Sequence, residues 1–241
     1  MTTKAAKRAI QKHKKFLSLP LSTNDGRSLL EFDFLLMDTK KSRMMAKLFM
    51  KYLRSSGKVH VTTPAGTDMM FYKENRNPGF FNGVLRDGKG YSSSSIEVYV
   101  PIEETKTEGI MVLDGSLGYI GRADEPTRII FKGGRIVDIE ETPTGIRLKE
   151  YMEEYFDPRI YIAGELGIGL NSCSNCLGNC YIEDESAYGT FHVGLGRNIA
   201  LGGVQNAKGH FDLVCREPDI FTDNRQIMDR GKIIAPEPVL Y

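Results

Sequence analysis

Two of the chain's four histidines, His192 and His210, lie in short apolar runs hemmed by glycines: Gly189-Thr-Phe-His-Val-Gly-Leu-Gly196 and Gly209-His-Phe-Asp212. His210 and Asp212 are two residues apart, so on a strand both side chains point to one face. An imidazole beside a carboxylate, joined by a second imidazole from a neighbouring strand, makes a ligand set for a divalent metal. A buried His-x-Asp can equally be a structural hydrogen-bonded pair.

Further carboxylates sit in similar settings. Tyr161-Ile-Ala-Gly-Glu-Leu-Gly-Ile-Gly-Leu-Asn171 places Glu165 inside an apolar, glycine-broken strand. An isolated charge there is costly to bury, so Glu165 calls for a metal or an arginine. In Ser95-Ile-Glu-Val-Tyr-Val-Pro101, Ile96, Val98 and Val100 alternate with Glu97 and Tyr99. Alternation alone favours a solvent-facing Glu97. Asp68, in Pro64-Ala-Gly-Thr-Asp68, reads as a turn residue that caps or closes its loop. Collected, Glu97, Glu165, His192, His210 and Asp212 can hold one metal with an open position, or two metals bridged by a carboxylate. Such a site activates water and polarises a carbonyl. Its oxygen-rich donors suit Zn, Mn, Co or Fe(II). Arg197 and Asn198, between the histidines, are candidates for orienting a substrate carboxylate, and ordinary loop polarity explains them equally well.

Cys173-Ser-Asn-Cys176-Leu-Gly-Asn-Cys180 forms a second candidate site. C-x-x-C brings two sulfurs within reach of one metal, and a third cysteine four residues on can join them. Three thiolates could hold an iron–sulfur cluster with one open iron, or a zinc completed by Cys215 or His192. The plainer reading is three reduced cysteines in an Asn/Gly-rich loop, or one reversible disulfide. Cys215 lies three residues after Asp212, on the opposite face of a strand, and is not expected to share the His-x-Asp metal.

At 241 residues the chain can bury one sizeable core or two small domains. Lys+Arg 32 against Asp+Glu 31 gives a formal charge of +1, which argues against a protein-wide nucleic-acid or membrane field. Apolar runs are broken well short of membrane-spanning length. The basic start, MTTKAAKRAIQKHKK, lacks the apolar core and cleavage site of a secretory signal. With the crowded cysteines, this points to a cytoplasmic protein, expected to be a homo-oligomer such as a dimer, with no nucleic-acid and no membrane partner.

These residues must be carried by defined elements. A basic helix is expected from Met1 to about Phe16. Leu29–Met37 reads as a buried strand or a short helix. Ser42–Leu53 has helical apolar spacing, with Ser42 as a possible cap. Strand-like runs then follow at Lys58–Thr62, Asp68–Tyr72, Ile96–Val100, Gly109–Leu113, Thr127–Lys132, Arg135–Glu140, Tyr161–Glu165, Thr190–Leu195 and Phe211–Arg216. Gly133-Gly134 is a hairpin signal. One helix is expected at Ile146–Tyr155, and 235–241 reads as an irregular tail. The fold class is therefore α+β: a short, helix-containing basic segment over residues 1–57, then a β-rich domain over 58–241 with a mostly antiparallel or mixed sheet.

The order of Gly66-Thr-Asp68, Ile96-Glu-Val-Tyr-Val-Pro101, Gly164–Asn171, Glu183–Gly196 and His210-Phe-Asp-Leu-Val214 resembles the aminopeptidase T / aminopeptidase S family. The dihydroxypyridine dioxygenases, which use mononuclear Fe(II), look like relatives on the same scaffold. The resemblance runs from about Val59 to Lys232. Full-length members carry a further N-terminal α/β domain, whereas this chain has some 58 residues before the matching part. The resemblance implies metal-binding carboxylates at Glu97 and Glu165, histidine ligands at His192 and His210, and a last carboxylate at Asp212, with Glu165 bridging two metals. Glu165 and His192 would carry the chemistry. Departures are Gly196-Arg-Asn-Ile where the aminopeptidases place a tyrosine, Ser94-Ser95-Ile96 before the first glutamate, and the three cysteines.

The leading expectation is a metal-dependent hydrolase whose activated water attacks an amide or peptide-like carbonyl of a small substrate. The alternatives are Fe(II)-dependent ring cleavage at His192, His210 and Asp212 or Glu165, a thiol or cluster protein using the cysteine loop, and a non-catalytic partner subunit.

Overall fold

A computed structural model describes residues 4–18, 23–85, 90–223 and 225–234. The basic start forms helix α1 (Lys4–Gln11), but only as far as Gln11. His13 takes a left-handed φ of 54°. Strand β1 (Lys15–Ser18) follows, where helix was expected as far as Phe16. Leu29–Met37 is neither a strand nor one helix. Two 3-10 turns bury Leu29, Phe32, Phe34 and Met37 and leave Leu30 and Leu36 outside. Helix α2 (Thr39–Ser55) begins three residues before the proposed Ser42 cap. Asp38 is the cap, its carboxylate accepting from the Lys40 and Lys41 amides at 2.8 and 3.2 Å.

The remaining strands are β2 (Lys58–Thr62), β3 (Asp68–Tyr72), β4 (Gly79–Phe81), β5 (Gly90–Ser93), β6 (Glu97–Pro101), β7 (Glu108–Leu113), β8 (Thr127–Lys132) and β9 (Arg135–Ile139). After helix α3 (Pro143–Glu153) come β10 (Ala163–Gly169), helix α4 (Tyr181–Ser186), β11 (Thr190–Gly196), β12 (His210–Arg216), β13 (Asp219–Thr222), β14 (Arg225–Asp229) and β15 (Lys232–Ile233). The expected irregular tail at 235–241 lies outside the described residues. The Gly133-Gly134 turn joins β8 to β9 with φ of 56° and 78°, a pair of left-handed positions that glycine alone takes at no steric cost.

Two main sheets result, an eight-stranded one in the order β15-β14-β13-β2-β3-β7-β8-β9 and a five-stranded one in the order β12-β11-β10-β6-β4. Their ladders are antiparallel; the parallel ladder among the described strands is β1 with β5. Val59, Val61, Phe71 and Met111 of the larger sheet share one apolar cluster with Val98, Leu166, Val193, Phe211 and Leu213 of the smaller. Phe49 and Leu53 of α2 and Leu148 and Met152 of α3 join the same cluster. This is an α+β fold in which one face of the five-stranded sheet is sealed into the core and the other is left for chemistry. Among the described residues, no helix is long and apolar enough to cross a membrane.

Candidate metal centre

Strand register gathers the candidate ligands. On β12, His210 and Asp212 stand opposite Gly196 and Gly194 of β11. On β11, His192 stands opposite Gly167 of β10, and Gly194 stands opposite Glu165. Gly169 of β10 in turn faces Glu97 of β6. The functional side chains and glycines thus share one face, with the apolar residues on the other. Glycine is required by close approach. A Cβ on Gly167 would lie 1.8 Å from His192 Nε2, and one on Gly194 would lie 2.7 Å from Glu165 Cβ and 2.8 Å from His210 Cε1.

A local irregularity completes the face. Plain alternation would put Ala163 and Glu165 on the same side. The register shifts between them, so Ala163 pairs with Leu195 but Glu165 pairs with Gly194. The extra residue, Gly164, swings Glu165 from the core side to the ligand side. Asn198 clamps this bulge, its Nδ2 donating to Gly164 O at 3.0 Å and to Glu104 Oε1 at 2.7 Å. Asn198 is fully buried and its Oδ1 accepts from the Gln205 amide at 2.9 Å, so it is packed away from the cavity where sequence had made it a substrate contact.

The five side chains converge. His192 Nε2 lies 2.8 Å from Glu97 Oε2, and His210 Nε2 lies 3.3 Å from Glu165 Oε2 and 3.4 Å from Asp212 Oδ1. Their ligand atoms fall into two triads, Glu97/Glu165/His192 and Glu165/His210/Asp212, each within 4.8 Å. Glu165 belongs to both. Glu97 is buried rather than solvent-facing, because both faces of β6 are covered. Ser95 Oγ donates to Glu97 Oε1 at 2.8 Å, and the Tyr181 hydroxyl donates to Asp212 Oδ2. Nδ1 of both His192 and His210 is buried without a hydrogen-bond partner, and Glu97 Oε2 and Asp212 Oδ1 meet only the imidazoles. Buried polar atoms are ordinarily satisfied, so these call for a missing partner.

Electrostatics supports that partner being a cation. Burial pushes the Glu165 carboxyl above its usual range, although His210 pulls against it. Burial disfavours a charged His192, but Glu97 outweighs it and holds the imidazole up at about 9. His210 is raised further, since Asp212 and Glu165 together overcome its desolvation. Asp212 resists its own burial because His210 keeps it below the ordinary carboxylate range. Three buried acids beside two imidazoles that draw in protons suit hard divalent cations, which take oxygen and imidazole donors.

The centre floors a cavity of about 430 Å³, in the range of small-molecule sites. Its lining adds Glu185 and Tyr181 of α4, with Tyr119 and Arg197 on its walls. Glu185 was missed in the sequence. It is buried, and desolvation, followed by repulsion from Glu97, Asp212 and Glu165, keeps it protonated well above the usual carboxyl range. The available signal was Glu183-Asp-Glu185 set between Ile182 and Ala187, an acidic run flanked by apolar residues just ahead of His192. Asp68 sits on the other sheet, paired at 2.7 Å with His60. The cysteines stay apart from the centre. All four are free thiols, and no three of them form a ligand group among the described residues. Cys176 packs with Ala187 and Val214, whereas Cys180 packs with Leu29, Phe32, Phe34 and Ile182. Cys215 points into the core and donates to Val112 O at 3.3 Å. A shared cluster is therefore not assembled: the thiols are drawn into different apolar neighbourhoods.

Known proteins share this framework. A 2,5-dihydroxypyridine 5,6-dioxygenase of Pseudomonas putida KT2440 is 25% identical over 216 residues, covering 83% of this chain and 60% of that protein. The chain thus spans about three-fifths of that relative's length. The solved structure of 2,5-dihydroxypyridine dioxygenase from the same organism superposes with a TM-score of 0.82 at 20% identity, covering 98% of this chain and 70% of that one. Wild-type AmpT from Thermus thermophilus gives a TM-score of 0.60 at 17% identity, over 81% of this chain and 54% of that one. At these identities both structures attest the fold, so the aminopeptidase side of the resemblance reduces to a likeness of scaffold. Residues 33–235 match the family model described as NicX, 2,5-dihydroxypyridine 5,6-dioxygenase. This chain belongs to the 2,5-dihydroxypyridine 5,6-dioxygenase (NicX) family.

Proposed function

We propose that this chain is a metal-dependent enzyme in which Glu97, Glu165, His192, His210 and Asp212 hold two divalent cations in adjoining subsites, and that it hydrolyses an amide or peptide-like bond of a small substrate. The observation that carries this reading is the pair of triads joined through Glu165, each with one imidazole and two carboxylates. When bound, Zn, Mn, Co or Fe(II) cations supply Lewis-acid polarisation of a carbonyl and a more acidic water.

The chain's own residues prepare that chemistry. Glu165 is aimed by the Gly164 bulge so that its carboxylate serves both subsites. Ser95 orients Glu97 through Oε1 and leaves Oε2 toward His192. Tyr181 fixes one oxygen of Asp212 and leaves Oδ1 for ligation. Glu185 of α4 lines the cavity beside the ligand carboxylates, where a carboxyl group could hand a proton to a leaving nitrogen.

A second reading is Fe(II)-dependent oxygen chemistry on an aromatic ring. Family membership favours it. In that case one iron would be held by His192, His210 and Asp212 or Glu165, two imidazoles and a carboxylate. Anaerobic loading separates the two. The first expects two cations per chain and Mn- or Zn-supported cleavage of small amides without dioxygen. One Fe(II) per chain, with dioxygen uptake on 2,5-dihydroxypyridine, would overturn it in favour of the second.

A further inference from the structure

The bulge that aims Glu165 is held from outside the ligand set. Asn198, which clamps it, leans in turn on Glu104, in the connection from β6 to β7. The Glu104 side chain is only 12% exposed, and a carboxylate so placed needs donors at both oxygens. Oε1 accepts from Asn198 Nδ2 at 2.7 Å, from the Val204 amide at 3.0 Å and from Arg76 Nη1 at 3.0 Å. Oε2 accepts from Arg76 Nη2 at 2.6 Å, so the guanidinium grips the carboxylate with both prongs. Burial works against the charge, but Arg76, the Val204 amide and Asn198 hold the carboxyl down at about 2. Arg76, in the connection from β3 to β4, is fixed as well. Its Nη1 also donates to Ile102 O, and the buried Lys73 donates through Nζ to Arg76 O at 3.1 Å.

This node reaches two parts of the centre. One is Gly164, whose carbonyl accepts from Asn198 Nδ2 at 3.0 Å and from the Ile102 amide at 3.1 Å. The other is the segment from Arg197 to Gly209 that joins β11 to β12. There the Gly203 amide donates to Asn198 O at 3.1 Å and the Gln205 amide to Asn198 Oδ1 at 2.9 Å. Ala200 and Leu201 of the same segment line the cavity. Backbone closes on Asn198 from both sides: a Cβ on Gly164 would lie 3.0 Å from its Nδ2, and one on Gly203 would lie 2.2 Å from the same atom.

We propose that Glu104, gripped by Arg76, is a positioning residue of the metal centre: acting through Asn198, it holds both the Gly164 bulge that presents Glu165 to the two triads and the cavity wall at Ala200 and Leu201. The proposal rests on the metal-dependent reading of the site. With Glu104 ionised, the Asn198 amide can face only one way, nitrogen toward the carboxylate and Gly164 O, oxygen toward the Gln205 amide. A glutamine at 104 keeps one oxygen for Asn198 but turns an NH2 group toward the Arg76 donor now on Oε2, which breaks the grip.

Mn(II) titrations test it, with binding read as loss of the free-ion electron paramagnetic resonance signal and thermal melts taken on the same samples. Glu104→Gln is expected to weaken Mn(II) binding about tenfold, the scale on which partners behind a metal ligand act. Arg76→Lys should weaken it a few-fold, because lysine keeps the charge but not the two-pronged grip. Since Glu104 acts through Asn198, Asn198→Ala alone and Asn198→Ala combined with Glu104→Gln should lose the same affinity. Ile129→Val, in the core of the larger sheet, should lower the melting temperature and leave Mn(II) affinity as in the wild type. Unchanged affinity in Glu104→Gln and Arg76→Lys would make the pair a purely structural ion pair and overturn the proposal. An equal loss in Ile129→Val, or additive losses in the double variant, would overturn it too. Should Glu104→Gln not fold, Arg76→Lys carries the comparison. Mn(II) binding that ignores these variants sinks this inference alone, whereas a wild-type chain that takes up no Mn(II) sinks the metal-dependent reading and this inference with it.

Discussion

The ligand face of the five-stranded sheet and the cysteine loop both carry metal-like spacing, yet they end differently. On the sheet, register fixes each donor opposite a glycine, and five side chains from four strands meet in one cavity. In the loop, Cys176 and Cys180 are buried in separate apolar clusters and Cys173 stays partly exposed. Spacing along a chain sets only what donors can reach. A hydrogen-bonded ladder sets where they must go. Helix α4 lies between the regions and serves both. Glu185 turns to the ligand floor, while Asp184 accepts from the Gly178 amide of the loop at 2.9 Å and from Ser116 Oγ at 2.7 Å.

The comparison breaks most sharply at Glu165. Because it belongs to both triads, Glu165→Gln should abolish cation uptake at both subsites, read as metal per chain after equilibrium dialysis. Replacing Cys173, Cys176 and Cys180 together by serine should leave uptake unchanged. The opposite pattern would move the metal to the loop.

Asp184 offers a graded test of the junction. Burial lifts its carboxyl to about 6 from 3.8, against the pull of its bonds to Gly178 and Ser116. A folded acid with a raised pKa binds the extra proton between those two values. Its stabilising contribution is therefore full below about pH 4 and lost as pH rises to about 6, by about 3 kcal/mol. Denaturant titrations at pH 4 and pH 7 should show this drop relative to Asp184→Asn, whose amide keeps both contacts without a charge. Parallel pH dependence in the two proteins would remove Asp184 from the account.

The glycine cradle is next in size. Gly167→Ala should cost about 2 kcal/mol and weaken cation binding, since the added methyl would press on the His192 ring. Gly57→Ala, with nothing within 4 Å of its added carbon, should change stability by no more than about 0.5 kcal/mol. Equal effects would mean that close approach is not what the site glycines provide.

These tests follow what sequence made visible and what it hid. Alternating runs and glycine breaks located most of the long strands and singled out Glu165, His192, His210 and Asp212, although β10 runs from Ala163 to Gly169 rather than from Tyr161 to Glu165, because Pro158–Tyr161 closes into a 3-10 turn. Short strands such as β4, β13 and β15 carry too few residues for a period to emerge. Glu97 misled because alternation presumes one wet face, whereas β6 is buried on both, its polar face turned into the cavity. The face of Glu165 was hidden as well, because the bulge at Gly164 depends on tertiary clamping by Asn198. Glu185 escaped because a six-residue acidic helix reads as a solvated turn until its neighbours are known.

The smallest effect is chemical and bears on the loop alone. Burial pushes the Cys176 thiol up to about 12, with the Asp184 carboxylate adding to the shift, so its thiolate fraction at pH 8 is roughly 10⁻⁴. Burial likewise raises Cys180, and Cys215 more strongly. Cys173 is the partly exposed member. Titration of the folded chain with a disulfide reagent should therefore show one fast thiol, mapped to Cys173, and the other three only in denaturant. Two or more fast thiols, or protection of Cys173 by added Zn(II), would mean that the loop gathers its sulfurs around a common ligand. The contrast between ladder and loop would then be one of metal preference rather than of convergence.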